Sequence, residues 1–112
     1  MAKELPRGDV ATLILAVLAD GPAHGYAIAR AIEEKSAQAL QLREGTLYPA
    51  LRVLEQQAAI ESAWDVQERG PARKVYTLTE VGRIEFTQRV AAWNAYANAI
   101  EAVLGQGRLS YG

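Results

Sequence analysis

Val10, Leu13, Ile14, Val17 and Leu18 repeat at i, i+3, i+4, i+7 and i+8, a single apolar stripe along a helix. Ala11 and Leu15 fall off that stripe, so this first helix is apolar on more than one side and has to be covered nearly all round. Asp9 stands in front of it as an N-cap, and Asp20-Gly21-Pro22 closes it. A second helix begins around His24-Gly25-Tyr26; Ile28, Ala29 and Ile32 form its buried face and Arg30, Glu33, Glu34 and Lys35 its solvent side. Ala39 to Leu42 reads as a short extended stretch. A third helix then covers roughly Gly45 to Gln57, with Leu47, Leu51 and Leu54 on one face and Arg52 and Gln56 off it. Pro49 is compatible with the first turn of that helix if Gly45 or Thr46 is its start.

From Ile60 the period changes. Ile60, Ser62, Trp64 and Val66 alternate with Glu61, Ala63 and Asp65, the pattern of a strand with one buried face. Trp64 is expected to anchor this strand to the helices. Gln67 to Ala72 is a turn punctuated by Gly70-Pro71, and Arg73 to Leu78 is the returning strand, with Tyr76 and Leu78 on one face. Thr79 is a good N-cap for the last helix, and Glu80 in its first turn suits the helix dipole. Phe86, Val90, Trp93, Ala97, Ile100 and Leu104 follow at spacings of 4, 3, 4, 3 and 4, a heptad seam ~27 Å long. Such a helix either folds back over its own domain or pairs with a second copy. Spare apolar surface on the first helix, at Leu15, favours the second copy.

Three helices followed by a hairpin is the order of a winged helix-turn-helix, in which the third helix enters the DNA major groove and the hairpin, the wing, lies along the backbone or minor groove. The expected fold is mainly α with a small β-hairpin. It divides into a winged helix-turn-helix over residues 1–78, a long C-terminal dimerisation helix over 79–105 and a flexible tail over 106–112.

Composition narrows the chemistry. A chain of 112 residues has room for one small domain. Half of it is apolar, a surplus that points to surface buried against a partner. The absence of Cys removes disulfides, thiol nucleophiles, iron–sulfur clusters and cysteine zinc sites, and a single His, His24, removes histidine-rich metal sites. No Gly-rich phosphate loop follows a strand, and no carboxylates pair convincingly, so an enzyme is not expected, nor a cofactor or metal. There is no apolar run of ~18 residues for a membrane span and no signal-peptide pattern at Met1 to Pro6, so a cytoplasmic, soluble protein is expected. Twelve basic against thirteen acidic side chains give a net charge of −1, which does not advertise a nucleic-acid binder.

Four segments carry a resemblance: His24-Gly25-Tyr26; Glu44 to Leu51 (Glu-Gly-Thr-Leu-Tyr-Pro-Ala-Leu) with Leu54-Glu55; Gly70 to Tyr76 (Gly-Pro-Ala-Arg-Lys-Val-Tyr); and Leu78-Thr79-Glu80-Val81-Gly82. Together they closely resemble the PadR family of bacterial transcriptional repressors, over about residues 8 to 104. The Gly45-to-Leu51 string is the most specific piece; Leu-Thr-Glu-x-Gly occurs in other winged helices too. The resemblance implies a homodimer held by its C-terminal helix, in the compact branch that has a single short one. It also implies operator binding in the bacterial cytoplasm, at the nucleoid, and release by a small effector, which in several members is apolar or aromatic and sits near the dimer interface.

The residues themselves leave a choice at most positions. Thr46 suits a phosphate at the helix N-terminus or merely caps it. Tyr48 offers its phenol to phosphate or its ring to a thymine methyl, and Arg52, one turn on, reaches a guanine edge. Arg43 flanks that site or pairs with Glu44. In the wing, Arg69, Arg73 and Lys74 against Glu68 give residues 67–74 a local charge of +2, either a phosphate or minor-groove contact or an ordinary solvated turn. Tyr26 packs or touches backbone phosphate, and His24 helps to start the second helix or touches a phosphate there. Trp93 and Tyr96, with Leu15, mark either a packed seam or an aromatic effector pocket shared across a two-fold axis. The competing expectation is an adaptor whose winged helix docks protein instead of DNA.

Overall fold

The first apolar segment folds as α1 (Arg7–Ala19), and the chain continues through β1 (Ala23–His24), α2 (Gly25–Lys35), α3 (Glu44–Gln56), β2 (Ile60–Asp65), β3 (Arg73–Leu78) and α4 (Glu80–Ser110). The computed structural model describes residues 7–66 and 69–110, with the backbone alone for 7, 8 and 106–110. Met1 to Pro6, Gln67, Glu68 and the last two tail residues, 111 and 112, lie outside the described residues.

Helix α1 is the hub. It packs against α2, α3, α4 and β3, because both its stripe and its off-stripe residues are apolar and each needs cover. Val10, Ile14, Leu15 and Leu18 are all core residues, joined there by Ile28 and Ile32 of α2 and by Leu47, Leu51 and Leu54 of α3. Leu15 corrects the expectation that it is spare surface for a partner: it is 0% exposed within one chain. From Asp9 to Ala19 no residue of α1 is exposed within one chain, and Leu13 and Val17 are partly buried. Asp9 is likewise not the cap; α1 starts before it, and its carboxylate lies in the first turn, where it complements the helix dipole.

The sheet has three strands in the order β1-β3-β2, all antiparallel. The β2–β3 register sets Ile60 opposite Leu78, Ser62 opposite Tyr76 and Trp64 opposite Lys74. Among the described residues only the base of the hairpin reaches the core, through Ile60, Tyr76 and Leu78. Further out the two strands leave the body of the protein, so the face that alternation marked as buried is open at Trp64 and Val66. Trp64 therefore does not anchor the wing to the core. Strand β1 is two residues long, too short for alternation to reveal; it exists because Ala23 and His24 pair with Tyr76 and Val75.

Helix α4 is joined to this body at its first turn. The Thr79 hydroxyl oxygen accepts the Gly82 amide at 3.0 Å, an N-cap, and lies 2.6 Å from the Ala58 carbonyl oxygen, to which it donates. Gly82 rests on the Ala59 carbonyl and the Leu78 side chain so closely that a Cβ would collide with both. Phe86 packs against the core. Beyond it α4 leaves the body: from Ala91 to Leu104 only Ala97 is not exposed. The helix also runs past the expected stop at Gly105, through to Ser110, so residues 106–110 are helical where a tail was expected. The result is an elongated molecule, 59 × 31 × 22 Å.

Candidate nucleic-acid interface

Helix α3 begins one residue earlier than its sequence pattern indicates. Arg43 is its N-cap, in extended conformation and without a side-chain cap bond, and the Arg43 carbonyl accepts the amides of Thr46 and Leu47. Thr46 is thus an internal first-turn residue rather than the cap. Pro49 lies inside the helix, past the first turn, and its missing N–H leaves the Gly45 carbonyl without its i+4 donor. The three leucines face the core, which sends Tyr48, Arg52 and Glu55 along another face at i, i+4 and i+7.

That face meets the wing. Tyr48, Arg52 and Glu55 line a groove of about 610 Å³ together with Trp64, Ala72, Arg73, Lys74 and Tyr76 of the hairpin and His24, Gly25 and Tyr26 at the start of α2. Its parts are held by specific contacts. The Tyr48 ring lies over Gly25, where a Cβ would come within 2.9 Å of its hydroxyl; the His24-Gly25-Tyr26 and Gly-Thr-Leu-Tyr-Pro strings are therefore two halves of one joint. His24 Nδ1 sits 3.3 Å from the Lys74 carbonyl oxygen, and as the only possible donor of the pair it carries the proton. Its Nε2 lies 3.7 Å from the Asp65 carboxylate. Through Nδ1, His24 thereby ties the start of α2 to β3 of the wing, with Asp65 of β2 beside it. The Ser62 hydroxyl donates to Glu55 Oε2 at 2.7 Å, linking wing and α3. Burial, with the Glu55 carboxylate adding to it, pushes the Tyr76 phenol above its ordinary value, so it remains neutral at physiological pH.

Of the residues expected at DNA, the fold thus brings together Tyr26, Tyr48, Arg52, Arg73 and Lys74. Tyr26 sits at the rim, its hydroxyl accepting from Arg30 Nη1 at 2.9 Å. Arg43 does not line that groove; it lines an adjoining one between α2 and α3 with Arg30, Glu33, Glu34 and Glu44, which shares Tyr26 and Tyr48 with the first. Thr46 lines neither groove, and Arg69 is exposed further along the wing. Sequence reasoning missed the place of Trp64, Glu55 and Tyr76. Trp64 was marked by alternation, but as a core residue; only its distance from the strand base distinguished the two.

The other expected site lies on α4. Trp93 and Tyr96 contact each other, ring centroids 6.0 Å apart and tilted by 43°. They share the exposed end of the helix with Ile100, Val103 and Leu104. Phe86, at the start of the same seam, packs against the core, and Val90 is half-buried. Beyond them the seam projects from its own domain. Among the described residues no group of His, Asp and Glu is placed to hold a metal ion, and no helix is long and apolar enough to cross a membrane.

The model of the PadR-like transcriptional regulator family matches residues 14–88, from the middle of α1 to the third turn of α4. A transcriptional regulator from Clostridium thermocellum superposes with a TM-score of 0.79 at 30% identity, covering 86% of this chain and 93% of that one. A PadR family transcriptional regulator from Eggerthella lenta superposes with a TM-score of 0.77, also at 30% identity, covering 88% and 83%. The uncharacterized protein X of Lysinibacillus sphaericus is 28% identical over 90 residues, 80% of this chain and 83% of its own length.

Proposed function

The chain belongs to the PadR-like transcriptional regulator family, and on that footing we propose that it is a dimeric, sequence-specific DNA-binding repressor read out through the α3–wing groove. It is a transcriptional regulator, not an enzyme. The observation that carries the DNA reading is the convergence of Tyr48 and Arg52 from α3 with Arg73 and Lys74 from the wing around one groove. With α3 in the major groove, Arg52 faces base edges and Thr46 and Arg43 lie at the helix start, near phosphates. Arg69, Arg73 and Lys74 take backbone or minor-groove contacts from the wing, and Tyr26 touches the backbone from the rim.

The dimer forms through the projecting part of α4, with Trp93, Ala97, Ile100 and Leu104 as its seam. It places two reading surfaces on a pseudo-palindromic operator with half-sites ~34 Å apart. A flat apolar effector stacks near Trp93 and Tyr96 and favours a dimer whose α3 helices no longer match the groove spacing. Leu15, inside the protomer core, has no part in that pocket.

The test is a gel shift on a fragment upstream of the protein's own gene. Arg52→Ala and Arg73→Ala each weaken binding about tenfold or more, the cost of one good base or phosphate contact. If both variants bind as wild type does, this reading surface is wrong. The net charge of −1 is the observation that favours the adaptor reading instead. Salt separates the two: phosphate contacts make affinity fall steeply from 50 to 200 mM salt, whereas protein docking through the same groove leaves it nearly flat.

A further inference from the structure

Trp64 is 64% exposed on the wing, an arrangement with a cost, since a bare indole leaves much of its ~150–250 Å² in water. Its position is specific. It stands on the same face of β2 as Ser62, the residue bonded to Glu55 of α3, so its indole forms the wing wall of the groove opposite Tyr48 and Arg52. Lys74, its cross-strand partner, holds its ammonium over the ring, 5.6 Å from its centre, a cation–π contact that pre-places a positive charge on one face of an apolar plate. Arg73 lies beside them on the same groove.

If α3 occupies a major groove and the wing the neighbouring minor groove, the strand that separates the two grooves runs between them, over this wall. We propose that Trp64 is a DNA-backbone contact: a deoxyribose of that strand packs on the part of the indole that Lys74 leaves open, while Lys74 and Arg73 meet the phosphates on either side. The sugar presents an apolar face and the phosphates are anionic, which matches an aromatic plate flanked by cations. The inference rests on the DNA reading given above and adds to it the residue that fixes where the duplex sits. Because sugar and phosphate carry no base identity, Trp64 sets affinity and register rather than sequence preference.

The experiment uses the full chain and two duplexes, the fragment upstream of its own gene and a scrambled fragment of equal length. Fluorescence anisotropy of labelled DNA gives affinity, and a salt series gives the slope of log affinity against log salt. Trp64→Ala is expected to weaken binding to both duplexes about tenfold with an unchanged salt slope, because no charge is lost; Trp64→Phe recovers most of it. Lys74→Ala is expected to weaken binding and to lower the slope by about 0.9, the loss of one counterion-displacing contact. The chain has two tryptophans, so the part of the wild-type emission that Trp64→Phe lacks reports Trp64, and it is expected to change as DNA saturates. An unchanged affinity for Trp64→Ala, or an emission that stays constant at saturation, overturns the assignment. Loss of binding in Arg52→Ala and Arg73→Ala beside a wild-type Trp64→Ala sinks this inference alone. Wild-type binding in all of them, or no binding by the wild-type chain, sinks the DNA reading as well. An emission change with a free aromatic acid and none with DNA would assign the groove to a small ligand and overturn the proposal.

Discussion

Helices α1 and α4 both carry more apolar residues than one face of a helix needs, and they dispose of the excess in opposite ways. In α1 the off-stripe Leu15 is 0% exposed, because α2, α3, α4 and β3 surround the helix within one chain. In α4 the heptad seam is covered only at its start, and Trp93 remains 54% exposed. An apolar surplus in sequence therefore does not by itself announce a partner. It does so where the helix has run beyond the last element of its own chain able to cover it.

The sharpest way to break this contrast is at Leu15. Leu15→Ala should cost about 2–5 kcal/mol of folding stability, the usual penalty for a core leucine, and lower the melting temperature equally at all protein concentrations. If the loss instead appears only on dilution, Leu15 serves an interface and the contrast is wrong. Trp93→Ala should do the reverse. It is expected to weaken self-association by about 2 kcal/mol or more, as a central interfacial tryptophan does, while leaving the fold of the body intact; a dilution series by sedimentation velocity measures it. An unchanged dimer would move the interface to the opposite side of the helix, where Ala92, Ala95 and Ala99 lie. Between the two regions stands Gly82. Gly82→Ala drives a methyl into the Ala59 carbonyl and Leu78 and is expected to cost about 1–3 kcal/mol, read by denaturant unfolding. Thr79→Ala, which removes the cap and the bond to Ala58, should cost about 1 kcal/mol; a loss well below that would show that α4 is held to the body by packing and not by its N-terminus.

The candidate site was legible in its members and not in its grouping. Arg52, Tyr48, Arg73 and Lys74 were named from helix spacing and wing charge. That Arg43 falls to the adjoining groove while His24 and Trp64 join the first follows from the start of α3 at Glu44, from the two-residue pairing of β1 with β3, and from how far the hairpin extends beyond the core. None of these leaves a repeating signal along the chain. Strand alternation shows which residues share a face but not how far the opposing layer reaches, so Trp64 and Ile60 look alike in sequence although one is exposed and the other buried.

The chain's own order of residues determined the helices, the hairpin, the leucine face of α3, the Thr79 cap and the family motifs. Each of these depends on neighbours within a few residues and on a fixed period of 3.6 or 2. Tertiary structure alone decided that α1 is enclosed, that α4 projects past its own domain, and that Gly25, Tyr48 and the wing close on one groove. Those outcomes depend on which distant segment lies opposite a given face, and a face carries no record of its partner.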